Sequence, residues 1–147
     1  MRNLQRGQAI VEFAVVLPLF LFLVFAIFLI GMVMADYLAL SSIARSSARD
    51  AAVISDKSYY NNNYEKIRNK YKDNKLPVDI YQWNPKQEKY FKIKYDGVNQ
   101  NVTVVINAKF NPKGSALAET VYELANKTNS DFNLNITYTM YSEYTPE

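Results

Sequence analysis

An uncharged apolar run from Phe13 to Ala35 dominates the first part of the chain, 23 residues dense in Leu, Phe, Val and Ile. As a helix it would extend about 35 Å, against a hydrocarbon core of about 30 Å, so the pattern predicts one membrane-spanning segment. Pro18 is expected to kink that helix, and both Pro18 and Gly31 are better tolerated in lipid than in water. Past the run, Tyr37, Leu40, Ile43, Ala44, Ala48, Ala51 and Ala52 recur at steps of three and four. Ser42, Arg45, Ser46, Arg49 and Asp50 fall largely between them. The helix is therefore expected to continue as a stalk with a small-residue face.

A second helix is predicted from about Ser58 to Lys72, because Tyr60, Tyr64, Ile67 and Tyr71 are spaced by four, three and four. Lys66, Arg68, Lys70 and Lys72 are read onto its other face. An aromatic row beside basic residues can stack on single-stranded nucleic acid. Packing of the Tyr row on a sheet, with the bases solvated, needs only the one spacing and is preferred. From Pro77 the pattern turns to strands: Val78 to Trp83, Tyr90 to Tyr95 and Val102 to Phe110, with a turn at Asp96-Gly97. Pro112-Lys113-Gly114 breaks the chain, and Ser115 is placed to cap a short helix reaching about Ala125. Phe132, Leu134, Ile136, Tyr138 and Met140 then alternate with Asn133, Asn135, Thr137 and Thr139, the mark of a half-buried strand. The predicted fold is α+β: a long N-terminal transmembrane and stalk helix, then a small antiparallel sheet with one or two packed helices.

Composition narrows the function. The chain has 147 residues, enough for one modest domain after the helix, and a net charge of +3. Arg2 and Arg6 supply two of those charges, so the remainder is near neutral and a nucleic-acid partner is not indicated. There is no Cys and no His. That removes disulfides, a thiolate nucleophile, Cys-ligated metal and the usual general base. No spacing recommends a Ser-Lys or paired-carboxylate enzyme, and no metal-loop or phosphate-loop pattern occurs. Neither catalysis nor a cofactor nor a metal is expected. Three Asn-X-Thr triplets, at Asn101, Asn126 and Asn135, are discounted because two lie in predicted strands.

The informative chemistry stands at the head of the apolar run. Arg2 and Arg6 precede it, so the positive-inside rule puts the N-terminus in the cytoplasm and the bulk of the chain outside. Arg45 and Arg49 beyond it are accompanied by Asp36 and Asp50. Glu12 lies directly against Phe13, where an isolated carboxylate is costly. Two plain readings exist. A secretory signal peptide would be cut after Val33-Met34-Ala35, although the run exceeds the usual span of roughly 7–15 residues. An uncleaved anchor would let Glu12 reach the headgroups from the membrane edge.

Gly7-Gln8-Ala9-Ile10-Val11-Glu12-Phe13-Ala14-Val15-Val16-Leu17-Pro18 resembles the N-terminal signature of TadE-like proteins, the minor pseudopilins of tight-adherence (Tad/Flp-type) pili. Arg45 to Val53 is similar to the small-residue helix that follows the anchor in that family, and Val102 to Pro112 and Leu134 to Glu143 to its late strands. The resemblance covers TadE and its relative TadF alike. It implies a leader of residues 1–7, a transmembrane and stalk helix over 8–54, and an extracytoplasmic α+β domain over 55–147. It further implies that a prepilin peptidase cuts the Gly7–Gln8 bond, leaving Glu12 as fifth residue of the mature chain and Phe13 beside it. Other pilins and a pilus assembly platform are the implied partners. Cleavage would free an α-amino group on Gln8, and in a staggered helical bundle that amine can meet Glu12 of the next subunit. Such a pair would set register, the best-attested use of a buried ion pair. Cyclisation of Gln8 would abolish it.

Overall fold

The structure is a computed structural model that describes residues 2–54, 64–114, 116, 118, 119, 122, 123 and 132–144, with side chains described from Gln8 onward. The chain resolves into two compact units, residues 1–34 and residues 35–147, with helix α1 (Arg2–Ala52) contributing to both.

In the first unit α1 passes through Pro18 without a break in its helical assignment. Its large side chains face outward and are not covered by protein: Leu19 is 70% and Phe22 73% exposed. The most apolar stretch has a mean hydropathy of 3.1 and none of it is buried. A helix apolar all round and bare of protein is long and greasy enough to cross a membrane.

In the second unit the stalk part of α1 buries Leu40, Ile43, Ala44, Ala48, Ala51 and Ala52, as the three- and four-residue spacing requires. Tyr37, read onto the same face, is exposed instead. Ser47 joins the buried stripe because its hydroxyl bonds back to the carbonyls of Ile43 at 2.7 Å and Ala44 at 3.1 Å.

Four antiparallel strands follow: β1 (Tyr81–Gln82), β2 (Phe91–Asp96), β3 (Asn101–Phe110) and β4 (Leu134–Tyr141). β3 pairs with all three others, with Ile106 opposite both Phe91 and Ile136. Along β3, Val102, Val104, Ile106 and Ala108 are buried, and Phe91, Ile93 and Ile136 share that core. The opposite face is polar, with Thr103 bonded to Thr139 at 3.0 Å and Asn107 to Asn135 at 2.8 Å. The end of β4 closes onto the stalk. Ser142 Oγ and the Glu143 N–H each donate to the Ala52 carbonyl at 3.2 Å, satisfying a terminal acceptor of α1.

The β2–β3 loop is longer than a two-residue Asp-Gly turn. Asp96 pairs with Asn101, leaving four residues between, and the left-handed conformation falls on Gln100 (φ 51°), not on Gly97. Asp96 organises the loop by accepting from Asn99 Nδ2 at 2.7 Å and the Val98 N–H at 3.0 Å. These bonds, the Asn99 side chain first, hold its carboxyl below the usual range.

Three expectations need correction. The first strand is only two residues long, because the N–H groups of Val78, Ile80 and Tyr81 go to a side chain of α1 rather than to a neighbouring strand. Helix α2 is described only as Glu65–Lys70, Tyr64 preceding it in a left-handed conformation, while Tyr60 lies outside the described residues. Arg68 is not on a solvated face. Tyr64, Ile67, Arg68 and Tyr71 stand at positions i, i+3, i+4 and i+7, so Arg68 shares the stripe that packs inward and is 9% exposed. Its Nε and Nη1 are buried without a hydrogen-bond partner among the described residues. Burial of Tyr64, Ile67 and Tyr71 agrees with a packing role for the aromatic row. The described residues of the segment expected to be helical after Ser115, namely Ala116, Ala118, Glu119, Tyr122 and Glu123, are helical.

The loop before β1 is held against the turn after β3. Asn111 donates its backbone N–H to Ile80 O at 2.6 Å and its Nδ2 to Asp79 O at 3.2 Å. Gly114 lies so close that a Cβ there would stand 2.0 Å from the Asp79 carbonyl oxygen. Gly114→Ala is therefore expected to cost about 1–3 kcal/mol, since backbone must move to relieve the overlap. A urea titration of the full chain, with unchanged slope and a lower midpoint, is the expected reading.

Candidate functional site

Gly7, Gln8, Glu12, Phe13 and Pro18 all lie on α1. The Gly7–Gln8 bond is within the helix, so a peptidase acting there would have to unwind about one turn. Glu12 is exposed, and Phe13 beside it is 63% exposed. Among the described residues no cation pairs with Glu12. Gln8 and Glu12 are four apart and thus on one side of the helix, about 6 Å along its axis. Gln8 and Glu12 therefore stand on the same stripe of α1.

The second unit carries two carboxylates on the stalk part of α1, Asp36 and Asp50, whose roles the sequence pattern did not reveal. Asp36 is 0% exposed. Its Oδ1 accepts the Val78 N–H at 3.0 Å, and its Oδ2 accepts those of Ile80 at 2.9 Å and Tyr81 at 3.3 Å. Three backbone donors converge on one acid, the arrangement that makes a buried charge tolerable. Burial, and then the Asp36 charge, push the neighbouring Tyr81 hydroxyl up from its ordinary value. About four turns along α1, Asp50 accepts from Lys70 Nζ at 2.6 Å and from the Tyr71 hydroxyl at 2.9 Å. Burial and the Asp50 bond push the Tyr71 hydroxyl up to about 12, so it stays a donor. Lys70 is largely solvated, and its ion pair contributes little; the Tyr71 bond is the firmer link.

Asp36 and Asp50 thus fix one helix to the loop before β1 and to α2. The sequence hint was available at Asp36: a lone acid ending an apolar run. It reads equally as a membrane-edge charge, which is why its partners 42 to 45 positions away were not legible.

Residues 7–49 match the family model described as TadE-like protein. That bears out the resemblance seen in the N-terminal segment. No curated protein and no solved structure matches the chain.

Proposed function

We propose that the protein is a minor pseudopilin or pilus-assembly subunit of a Tad/Flp-type adhesive pilus, cut between Gly7 and Gln8 and built in by helix packing. It acts by anchoring and docking, not by catalysis, and uses no cofactor. The N-terminus lies in the cytoplasm and the bulk outside, and a prepilin peptidase, other pilins and the assembly platform are its partners. The single observation that carries this reading is the TadE-like match, which begins at Gly7 and runs through the apolar helix. The bare apolar surface of α1 supports it, since such a helix needs lipid or other helices around it.

Processing is tested by mass spectrometry of the membrane-extracted protein. The first peptide is expected to begin at Gln8, free or as the cyclised form. Gly7→Leu is expected to abolish that product and leave the full-length chain in the membrane. Retention of Met1 in cells that assemble normal pili would overturn the proposal. The competing reading is an uncleaved single-pass anchor carrying a binding domain. It draws its support from the helical backbone at Gly7 and Gln8, which offers no extended segment for cleavage.

A further inference from the structure

Asn74, Tyr81, Trp83, Gln87, Tyr90 and Asn111 line a cleft of about 410 Å³ on the second unit. Its volume falls in the range of small-molecule sites. The lining has an uncommon character. Three aromatic side chains stand among five planar amides, the others being Gln82 and Asn84. Leu76 is the one aliphatic residue at the cleft and is itself buried. The two charged lining residues, Lys75 and Asp79, are of opposite sign.

Each feature excludes a class of ligand. Without net charge the cleft offers no field to a nucleic acid or an acidic polymer. Without an aliphatic pocket it offers no seat for the apolar anchor of a peptide. What remains is a ligand with many hydroxyls and weakly apolar C–H faces. Aromatic rings cover such faces, and each carboxamide brings a donor and an acceptor side by side, matching a pair of adjacent hydroxyls. Among the described residues the side chains of Asn74 and Gln87 form no hydrogen bond, so both are available to a ligand.

The walls are also held in place, which lowers the cost of ordering them on binding. Asp36 fastens the backbone at Val78, Ile80 and Tyr81. Tyr81 packs edge-on against Phe110 at 5.9 Å, and Trp83 leans on Phe91 at 5.8 Å. The Gln87 carbonyl accepts the N–H groups of Tyr90 at 3.0 Å and Phe91 at 3.1 Å, closing the turn that presents the Gln87 side chain. We infer that this cleft is a binding site for a neutral saccharide, seated by Trp83 and Tyr90 and hydrogen-bonded by Asn74 and Gln87. This inference stands on the second unit alone and does not require the chain to be processed or assembled.

Trp83 is the sole tryptophan, so its emission reports the site directly. The test uses full-length protein in a detergent without a sugar headgroup, titrated with neutral oligosaccharides built from hexose, pentose or N-acetylhexosamine. Parallel arms use polygalacturonate and a neutral Tyr- and Asn-containing peptide. A saturable change in Trp83 emission, confirmed by calorimetry, is expected with at least one neutral sugar at micromolar to low millimolar concentration. Gln87→Ala and Tyr90→Ala are each expected to weaken it about tenfold or more, with the melting temperature of Gln87→Ala unchanged. Absence of binding across all neutral sugars overturns the inference. So does binding of the polyanion or the peptide alone, or sugar binding that ignores both substitutions.

Discussion

Asp36→Ala is expected to lower the thermal midpoint of the second unit by roughly 10–20 °C, a larger effect than any substitution on its surface. The substitution removes the acceptor of three backbone N–H groups, two of which belong to the buried residues Ile80 and Tyr81. Each donor left without a partner costs about 1–3 kcal/mol, and water entering beside Val78 recovers part of it. A net loss of about 3–5 kcal/mol follows, against a total stability of roughly 5–15 kcal/mol for a domain of ordinary size. Asp36→Asn should fall between, because one amide oxygen remains while the NH2 group faces donors. The measurement is near-UV circular dichroism of the full chain in detergent during heating. A shift of under about 3 °C for Asp36→Ala would show that the three bonds do not hold the loop.

Glu12→Leu is expected to leave membrane insertion intact and to reduce assembly on the order of 100-fold. Leucine at the head of an apolar run costs nothing in lipid, so carbonate-resistant membrane fractions should contain normal amounts of protein. Assembly differs because the proposed pairing of a Gln8 amine with Glu12 of a neighbour forms away from water. Removing one partner of such a pair leaves the other uncompensated, at about 3–5 kcal/mol, and each 1.4 kcal/mol is tenfold. Glu12→Gln should fail nearly as badly, since shape without charge does not pair with an amine. Counting sheared pili by immunoblot gives the answer. Normal assembly by the Glu12→Gln variant would sink the pairing while leaving anchoring untouched.

Much of the fold was legible because its signals are local. The alternation from Leu134 to Met140 appears as a strand, and the spacing from Leu40 to Ala52 appears as a buried helical face. Sequence and structure part where a local signal has two structural uses. Charge alone points Arg68 outward, although its position beside Ile67 puts it on the packed stripe. Val78 to Trp83 has strand composition, yet Asp79 takes a left-handed backbone and Asp36 captures the donors a longer strand would need. The aromatic-amide cleft was not legible at all. Its walls come from Asn74 to Tyr90 and from Asn111, and residue types so scattered form no motif.

The sequence by itself determined the apolar helix, the signature around Gly7 and Glu12, and the α+β order of elements. Those follow from covalent neighbours and from periodicities of two and 3.6 residues, which any reader of the chain can see. Only the tertiary structure decided which acid serves the loop, where β1 stops, and which side chains line one cleft. These depend on donors and acceptors far apart in the chain meeting in a dry interior, where each unpaired group carries a cost that selects one arrangement.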